Sequence, residues 1–214
     1  MFVKICGITN PADAEAIIAA RADALGFNFW PGSERYLEPA EEAEWITELP
    51  DSIIRVAVFV NPSSAYAKEI AAIDGIDCLQ LHGDESPEFC LSLMEAQITL
   101  WKAVPMIGRD MPLPDFHTNR LLLDTVAGTK FGGAGRPFPW NWARDLIVAN
   151  RDRQFILAGG LNSENVVEAV RQARPFGVDV ASGSRPHRAA KIFIESVILL
   201  PLRALPEAVR NRLF

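Results

Sequence analysis

Apolar residues along the chain fall into short runs separated by segments with helical spacing. The runs are VKICG (3–7), ALGFNF (24–29), IIRVAVFV (53–60), CLQLH (78–82), TLWKAV (99–104), RLLLD (120–124), FILAG (155–159) and GVDVAS (177–182). Most are rich in Val, Ile, Leu and Phe with few polar breaks, which suits parallel strands buried on both faces. Helices fit between them. Asn10 can cap one that has Pro11 in its first turn, Asp13 close behind, and Ala14, Ile17 and Ile18 as an inner stripe. Pro62 opens a segment carrying Ala65, Ile70 and Ile73. Asn162 can cap a helix that turns Val166, Val167 and Val170 inward. Residues 105–119 hold three prolines and predict a short or irregular fifth crossover.

Eight strand candidates alternating with about eight connections predict an α/β fold: a single-domain (β/α)8 TIM barrel with few insertions over residues 1–200. Such barrels typically run ~250 residues, with a lower end near ~200. A doubly wound open sheet uses the same alternation and is the competing fold. Residues 201–214, PLRALPEAVRNRLF, predict a short C-terminal helix docked on the barrel, with Pro206 near its start.

Composition narrows the function. The chain has 214 residues, 49% hydrophobic and 22% charged, with a net charge of −6. That balance argues against a broad nucleic-acid or membrane surface and leaves room for a local anion pocket. The apolar stretch Val197–Leu200 is too short to span a bilayer. The start, MFVKICGIT, lacks the apolar region of a signal peptide, so a cytoplasmic protein is expected. Cys6, Cys78 and Cys90 are odd in number and show no CxxC spacing. A disulfide framework or zinc site is not expected, and a reducing compartment fits.

In such a barrel the chemistry lies at the C-terminal ends of the strands and in the loops after them. Taken alone, VKICGIT allows a packed thiol, since free Cys behaves as a small hydrophobe. The strand count places Cys6 on the functional rim together with His82, Asp124, Gly159, Gly160, Ser182, Gly183 and Ser184. The AGGL turn leads into the Asn162 helix, and ASGS follows strand 8. Paired glycines let backbone approach a ligand, a helix N-terminus favours an anion, and loops 7 and 8 are the recurrent phosphate site of these barrels. No P-loop or GxGxxG occurs elsewhere, which favours a phosphorylated small molecule over a dinucleotide. The loop TVAGTKFGGAGRPFPW (125–140) has the length of a lid or binding loop, with Lys130 and Arg136 able to meet an anion. Arg35, in WPGSERYLEP after strand 2, suits a fork-like contact with a carboxylate.

These motifs resemble one family closely, the phosphoribosylanthranilate isomerases of tryptophan biosynthesis. The matching stretches are VKICGIT, GFNFWPGSERYL, LQLHGDE, LLLDTVAGTKFGGAGRPFPW, LAGGLNSENV and GVDVASG, in order from residue 3 to 183. The resemblance implies an Amadori rearrangement of N-(5-phosphoribosyl)anthranilate to the 1-deoxyribulose phosphate, without metal or organic cofactor. It implies Cys6 as general base and Asp124 as general acid. Opening the furanose needs an acid that starts with its proton, and moving the double bond needs a base for the C2′ proton. A base thiol is expected to be partly thiolate, and Lys4, on the same strand face as Cys6, is expected to help or to be paired inside the barrel. By the same resemblance Arg35 binds the anthranilate carboxylate, and Gly159, Gly160, Ser182, Gly183 and Ser184 hold the phosphate. His82, Gln80 and Lys4 line the substrate pocket. The partners implied are a phosphosugar substrate, no nucleic acid and no membrane, with a monomer or homodimer as the assembly.

One stretch departs from the family. Residues 184–191 read SRPHRAAK, with Arg185 where the family carries Glu, no Gly after Pro186, and Ala190 at the Asp position. Asn162–Ser163 replaces Asn-Pro. The altered loop leaves a barrel that binds a phosphorylated ligand without catalysis as one alternative. Another is a related aldose–ketose isomerase. The histidine-pathway isomerase uses two aspartates where strand 1 here ends in Cys6, and a metal-dependent epimerase would need more His and Asp ligands than His82 and Asp124 supply.

Overall fold

A strand buried on both faces carries apolar residues in both phases of its pleat, and here the two phases feed two different cores. The computed structural model describes residues 1–125 and 137–181 of the protein. The expectations for Lys130 and Arg136, for Ser182, Gly183 and Ser184, for the 184–191 stretch and for the 201–214 tail lie outside the described residues.

The elements run β1 (Phe2–Cys6), α1 (Pro11–Ala19), β2 (Ala24–Asn28), α2 (Pro39–Thr47), β3 (Ile54–Phe59), α3 (Ser64–Ala71), β4 (Cys78–Leu81) and α4 (Pro87–Glu95). They continue with β5 (Leu100–Pro105), β6 (Arg120–Asp124), α5 (Trp140–Ala149), β7 (Gln154–Leu157), α6 (Val166–Ala173) and β8 (Gly177–Ala181). All eight strands are parallel and pair in sequence order, and β8 pairs back onto β1 with Lys4 opposite Asp179 and Cys6 opposite Ala181. This closure makes the fold the expected (β/α)8 barrel and excludes the open sheet. The connection from β5 to β6 contains no helix, as its prolines foretold.

One phase of the strands, including Ala24, Val56, Cys78, Trp101, Leu122 and Ile156, fills the barrel interior. The other, including Ile5, Leu25, Phe27, Ala57, Leu121 and Phe155, packs against the helices. At the N-terminal end the Arg120 guanidinium lies over the rings of Phe2, Trp101 and Phe176, 4.8–5.3 Å from their centroids, and donates to Gln154 Oε1 at 2.7 Å. That plug closes the bottom of the barrel, and the opposite end is left for chemistry.

Helix starts follow local capping chemistry. Asn10 Oδ1 accepts from the Asp13 amide at 2.9 Å, with Pro11 in the first turn of α1. Two starts differ from expectation. Helix α3 begins at Ser64 because Ser63 supplies the cap, accepting from the Tyr66 amide, so Pro62 precedes the helix. Asn162 caps a turn instead of a helix: its Oδ1 accepts from the amides of Glu164 and Asn165, and α6 starts four residues later, at Val166. Among the described residues no helix is long and apolar enough to cross a membrane.

Candidate active site

Cys6 is the last residue of β1 and is partly exposed at the C-terminal rim. Gly7 follows in the left-handed region (φ 81°), and its amide donates to Gly26 O at 2.8 Å, which swings the chain out toward α1. Across the β1–β2 ladder Cys6 stands opposite Gly26. A Cβ on Gly26 would lie 2.8 Å from Cys6 Sγ and 2.9 Å from Lys4 Nζ. The thiol and the ammonium therefore share the space that a side chain would take.

Lys4 was expected in the substrate pocket or paired within the barrel, and pairing is what it does. It has no exposed surface, and its Nζ lies 2.9 Å from Asp179 Oδ1 on β8. Burial disfavours the ammonium, but the Asp179 carboxylate and Cys6 more than offset this and hold the Lys4 pKa above its ordinary value. For Cys6 the balance runs the other way. Burial pushes the thiol up, the Lys4 ammonium pulls it down, Asp179 pushes it up again, and Arg35 pulls it down, with a net rise. This direction runs against the partly ionised thiol expected from the sequence. The desolvation that comes with the barrel interior outweighs the single neighbouring cation.

On the other side of the rim Asp124 ends β6. Its Oδ1 accepts from the Thr125 amide at 2.7 Å, and its Oδ2 lies 2.8 Å from His82 Nε2. His82 Nδ1 in turn lies 2.8 Å from Gln80 Nε2. With the Gln80 amide donating to Nδ1, the neutral ring carries its proton on Nε2, aimed at Asp124. Gln80 is fully buried on β4, and its Oε1 has no partner among the described residues. Leaving a buried acceptor unpaired costs about 1–3 kcal/mol, and such local costs concentrate at functional sites. Gln80 and His82 thus hold the Asp124 carboxyl in place on the rim.

The His82 loop is itself clamped from below. Lys102 on β5 and Glu85 are buried and 3.0 Å apart. Glu85 accepts from the amides of Asn61 and Gly83, and Lys102 donates to Gly83 O at 2.7 Å.

Arg35 sits half-buried in the loop after β2, close enough to Cys6 to act on its thiol. Its guanidinium makes no ion pair among the described residues, so it is available to an anion. Gly159 and Gly160 follow β7 with φ of 75° and 65°. The Gly160 carbonyl accepts from Asn165 Nδ2 at 2.9 Å, and neither glycine amide donates to another described residue. Gly159 also makes room for the Asp124 carboxyl: a Cβ there would clash with Thr125 Oγ1 and lie 2.7 Å from Asp124 Oδ1. Among the described residues no group of three His, Cys, Asp or Glu side chains is placed to hold a metal ion.

The sequence reading missed Asp179, Thr125, Gly26 and the Lys102–Glu85 clamp. For Asp179 a signal existed. An Asp in the middle of a strand buried on both faces needs a cationic partner, and Lys4 has the matching inward phase.

A closed (β/α)8 barrel with a thiol and an oriented carboxyl on one rim, and with a guanidinium beside the thiol and glycine amides after β7 that have no partner among the described residues, defines the class of barrel enzymes whose rim can receive an anionic small molecule. The comparisons give the family. Residues 3–184 match the family model of N-(5'-phosphoribosyl)anthranilate (PRA) isomerase. An N-(5'-phosphoribosyl)anthranilate isomerase of Trichlorobacter lovleyi is 39% identical over 181 residues, 85% of this chain and 87% of the relative. The crystal structure of phosphoribosyl anthranilate isomerase from Thermus thermophilus superposes with a TM-score of 0.83 at 32% identity, covering 94% of this chain and all of that one. A second isomerase structure, in complex with reduced 1-(o-carboxyphenylamino)-1-deoxyribulose 5-phosphate, gives 0.74 at 36% identity, covering 92% of this chain and 98% of that one. The chain belongs to the N-(5'-phosphoribosyl)anthranilate isomerase family.

Proposed function

We propose that this protein converts N-(5-phosphoribosyl)anthranilate to 1-(2-carboxyphenylamino)-1-deoxyribulose 5-phosphate by general acid–base catalysis, with Asp124 as the acid and Cys6 as the base. The observation that carries the assignment is the oriented carboxyl: Asp124 is held by His82 and Thr125 on the rim that Cys6 also reaches. Asp124 gives a proton to the furanose ring oxygen as the C1′–O bond breaks, leaving an open-chain iminium. Cys6 removes the proton from C2′, and the electron pair moves into a C1′–C2′ double bond to neutralise the nitrogen. The resulting enolamine tautomerises to the ketone. The iminium charge favours the Cys6 thiolate at the moment it is needed, which offsets the burial that disfavours it.

Recognition follows from the remaining groups. The half-buried Arg35 guanidinium takes the anthranilate carboxylate in a two-pronged contact. The Gly159 and Gly160 amides take the phosphate, with Ser182, Gly183 and Ser184 from the loop after β8. We place the enzyme in the cytoplasm, acting as a monomer or homodimer, in tryptophan biosynthesis.

The test is turnover of N-(5-phosphoribosyl)anthranilate without added metal, with rescue of a tryptophan auxotroph lacking this step. Cys6→Ala and Asp124→Asn are expected to lower kcat by roughly 10²–10⁴-fold, the usual contribution of a positioned acid or base, with the fold retained. Near-wild-type turnover in both variants would remove these roles. No turnover by the wild type would favour a barrel that binds a phosphorylated ligand without catalysis.

A further inference from the structure

A lysine with no exposed surface inside the barrel calls for an explanation, because burying a charge is costly unless it is paired. Lys4 has two neighbours that can answer its charge. Asp179 Oδ1 is 2.9 Å away across the β1–β8 seam, which the register sets by placing Lys4 directly opposite Asp179. Cys6 lies one pleat further along the same face, with Sγ and Nζ on either side of the vacant space over Gly26. Asp179 is nearly buried as well, at 7% exposure, so little solvent screens the three groups from one another.

We infer that Lys4 and Asp179 are positioning residues for Cys6: the pair keeps an ammonium fixed beside the sulfur, so that Lys4 is the counter-ion of the thiolate that takes the C2′ proton. This rests on the reading of Cys6 as the base. When the thiol is protonated, the Lys4 charge is balanced by Asp179 alone. When Cys6 ionises, Lys4 faces two anions, and Asp179 limits how far the thiolate is stabilised. The device holds the thiol ready without leaving a permanently ionised, easily oxidised sulfur at an open rim. Among the other described elements, the loop after β2 brings Arg35 close enough to act on Cys6, while Asp124 and His82 stand on the same rim at the ends of β6 and β4. β2 contributes no titratable side chain on this face, where Ala24, Gly26 and Asn28 stand.

The two members of the pair act on Cys6 with opposite sign, and this gives a test that a merely structural role does not pass. The readout is the rate of Cys6 alkylation by iodoacetamide against pH in the free protein, followed by mass spectrometry of the Cys6 peptide. It needs no substrate, so its outcome is independent of whether the isomerase assay succeeds. Lys4→Met removes the counter-ion and is expected to raise the midpoint by about 1–3 pH units, the usual effect of a charge at this range. Asp179→Asn leaves the thiolate as the nearest anion for Lys4 and is expected to lower the midpoint, by about half a pH unit or more. Shifts in these opposite directions support the inference. An unmoved midpoint in Lys4→Met, or a midpoint in Asp179→Asn that stays or rises, overturns it. Should Lys4→Met not fold, Asp179→Asn decides alone, by the same criterion. In catalysis the same shifts are expected in the alkaline-going limb of kcat/KM, with KM unchanged.

Discussion

His82 offers the sharpest separation between lining the pocket and serving the acid. Its Nε2 lies 2.8 Å from Asp124 Oδ2, and only one other hydrogen bond to that carboxyl is described, from the Thr125 amide to Oδ1 at 2.7 Å. His82→Ala removes the first and leaves the second, so the carboxyl keeps its place on β6 but is free to rotate. Asp124 becomes a carboxylate as it gives up its proton, and a hydrogen bond to a charged group contributes about 1.5–3 kcal/mol. At about 1.4 kcal/mol per factor of ten this becomes a loss of roughly 10–150-fold in kcat. The side chains of His82 and Asp124 are 17% and 12% exposed, so solvent takes up little of that effect. The assay is steady-state turnover, with kcat and KM separated. If His82 serves the acid, kcat falls and KM holds, and His82→Gln, which can still donate to Oδ2, recovers part of the loss. A raised KM with unchanged kcat would refute this reasoning and return His82 to substrate contact. Gln80→Leu, which releases the His82 ring from its fixed tautomer, is expected to lower kcat in the same direction by a smaller factor.

Two further outcomes concern the frame around the site. Lys102→Met leaves Glu85 buried without its cation and is expected to cost about 3–5 kcal/mol, read as a fall in Tm of about 6–20 °C for a chain of this size; a loss under about 1 kcal/mol in urea unfolding would mean that the clamp carries no weight. Gly159→Ala would drive a Cβ onto Thr125 and Asp124 at a residue with φ of 75°. It is expected to destabilise by about 1–2 kcal/mol from the left-handed backbone alone and to lower kcat through the displaced acid, whereas a fall in Tm with kcat intact would place the strain away from Asp124.

Much of the architecture was legible from pattern. Eight apolar runs at regular spacing specify eight strands, and their boundaries in the structure agree to within about two residues, because a strand buried on both faces has no polar phase to blur it. The prolines of 105–119 announced a short or irregular crossover, since each removes a donor and fixes φ, and no helix forms there. Cys6 and Asp124 were recognisable at strand ends, and parallel strands in one barrel necessarily end on one rim. Helix starts were less legible. Asn162 and Pro62 carry the right chemistry for a cap or a first turn, but Asn165 and Ser63 lie nearer to where packing starts the helices.

The sequence by itself determined the fold class, the rim and the residue types available for proton transfer, because these follow from periodicity and from the chemistry of single side chains. Tertiary structure decided how those side chains act. Lys4 and Asp179 are 175 residues apart and meet only because β8 closes on β1 in a register that puts them face to face. His82 and Asp124 are 42 residues apart and meet across the rim, where the ring fixes one oxygen of the carboxyl. The state of the Cys6 thiol depends on burial as much as on its neighbours, and burial is a property of the closed barrel and of no short stretch of sequence.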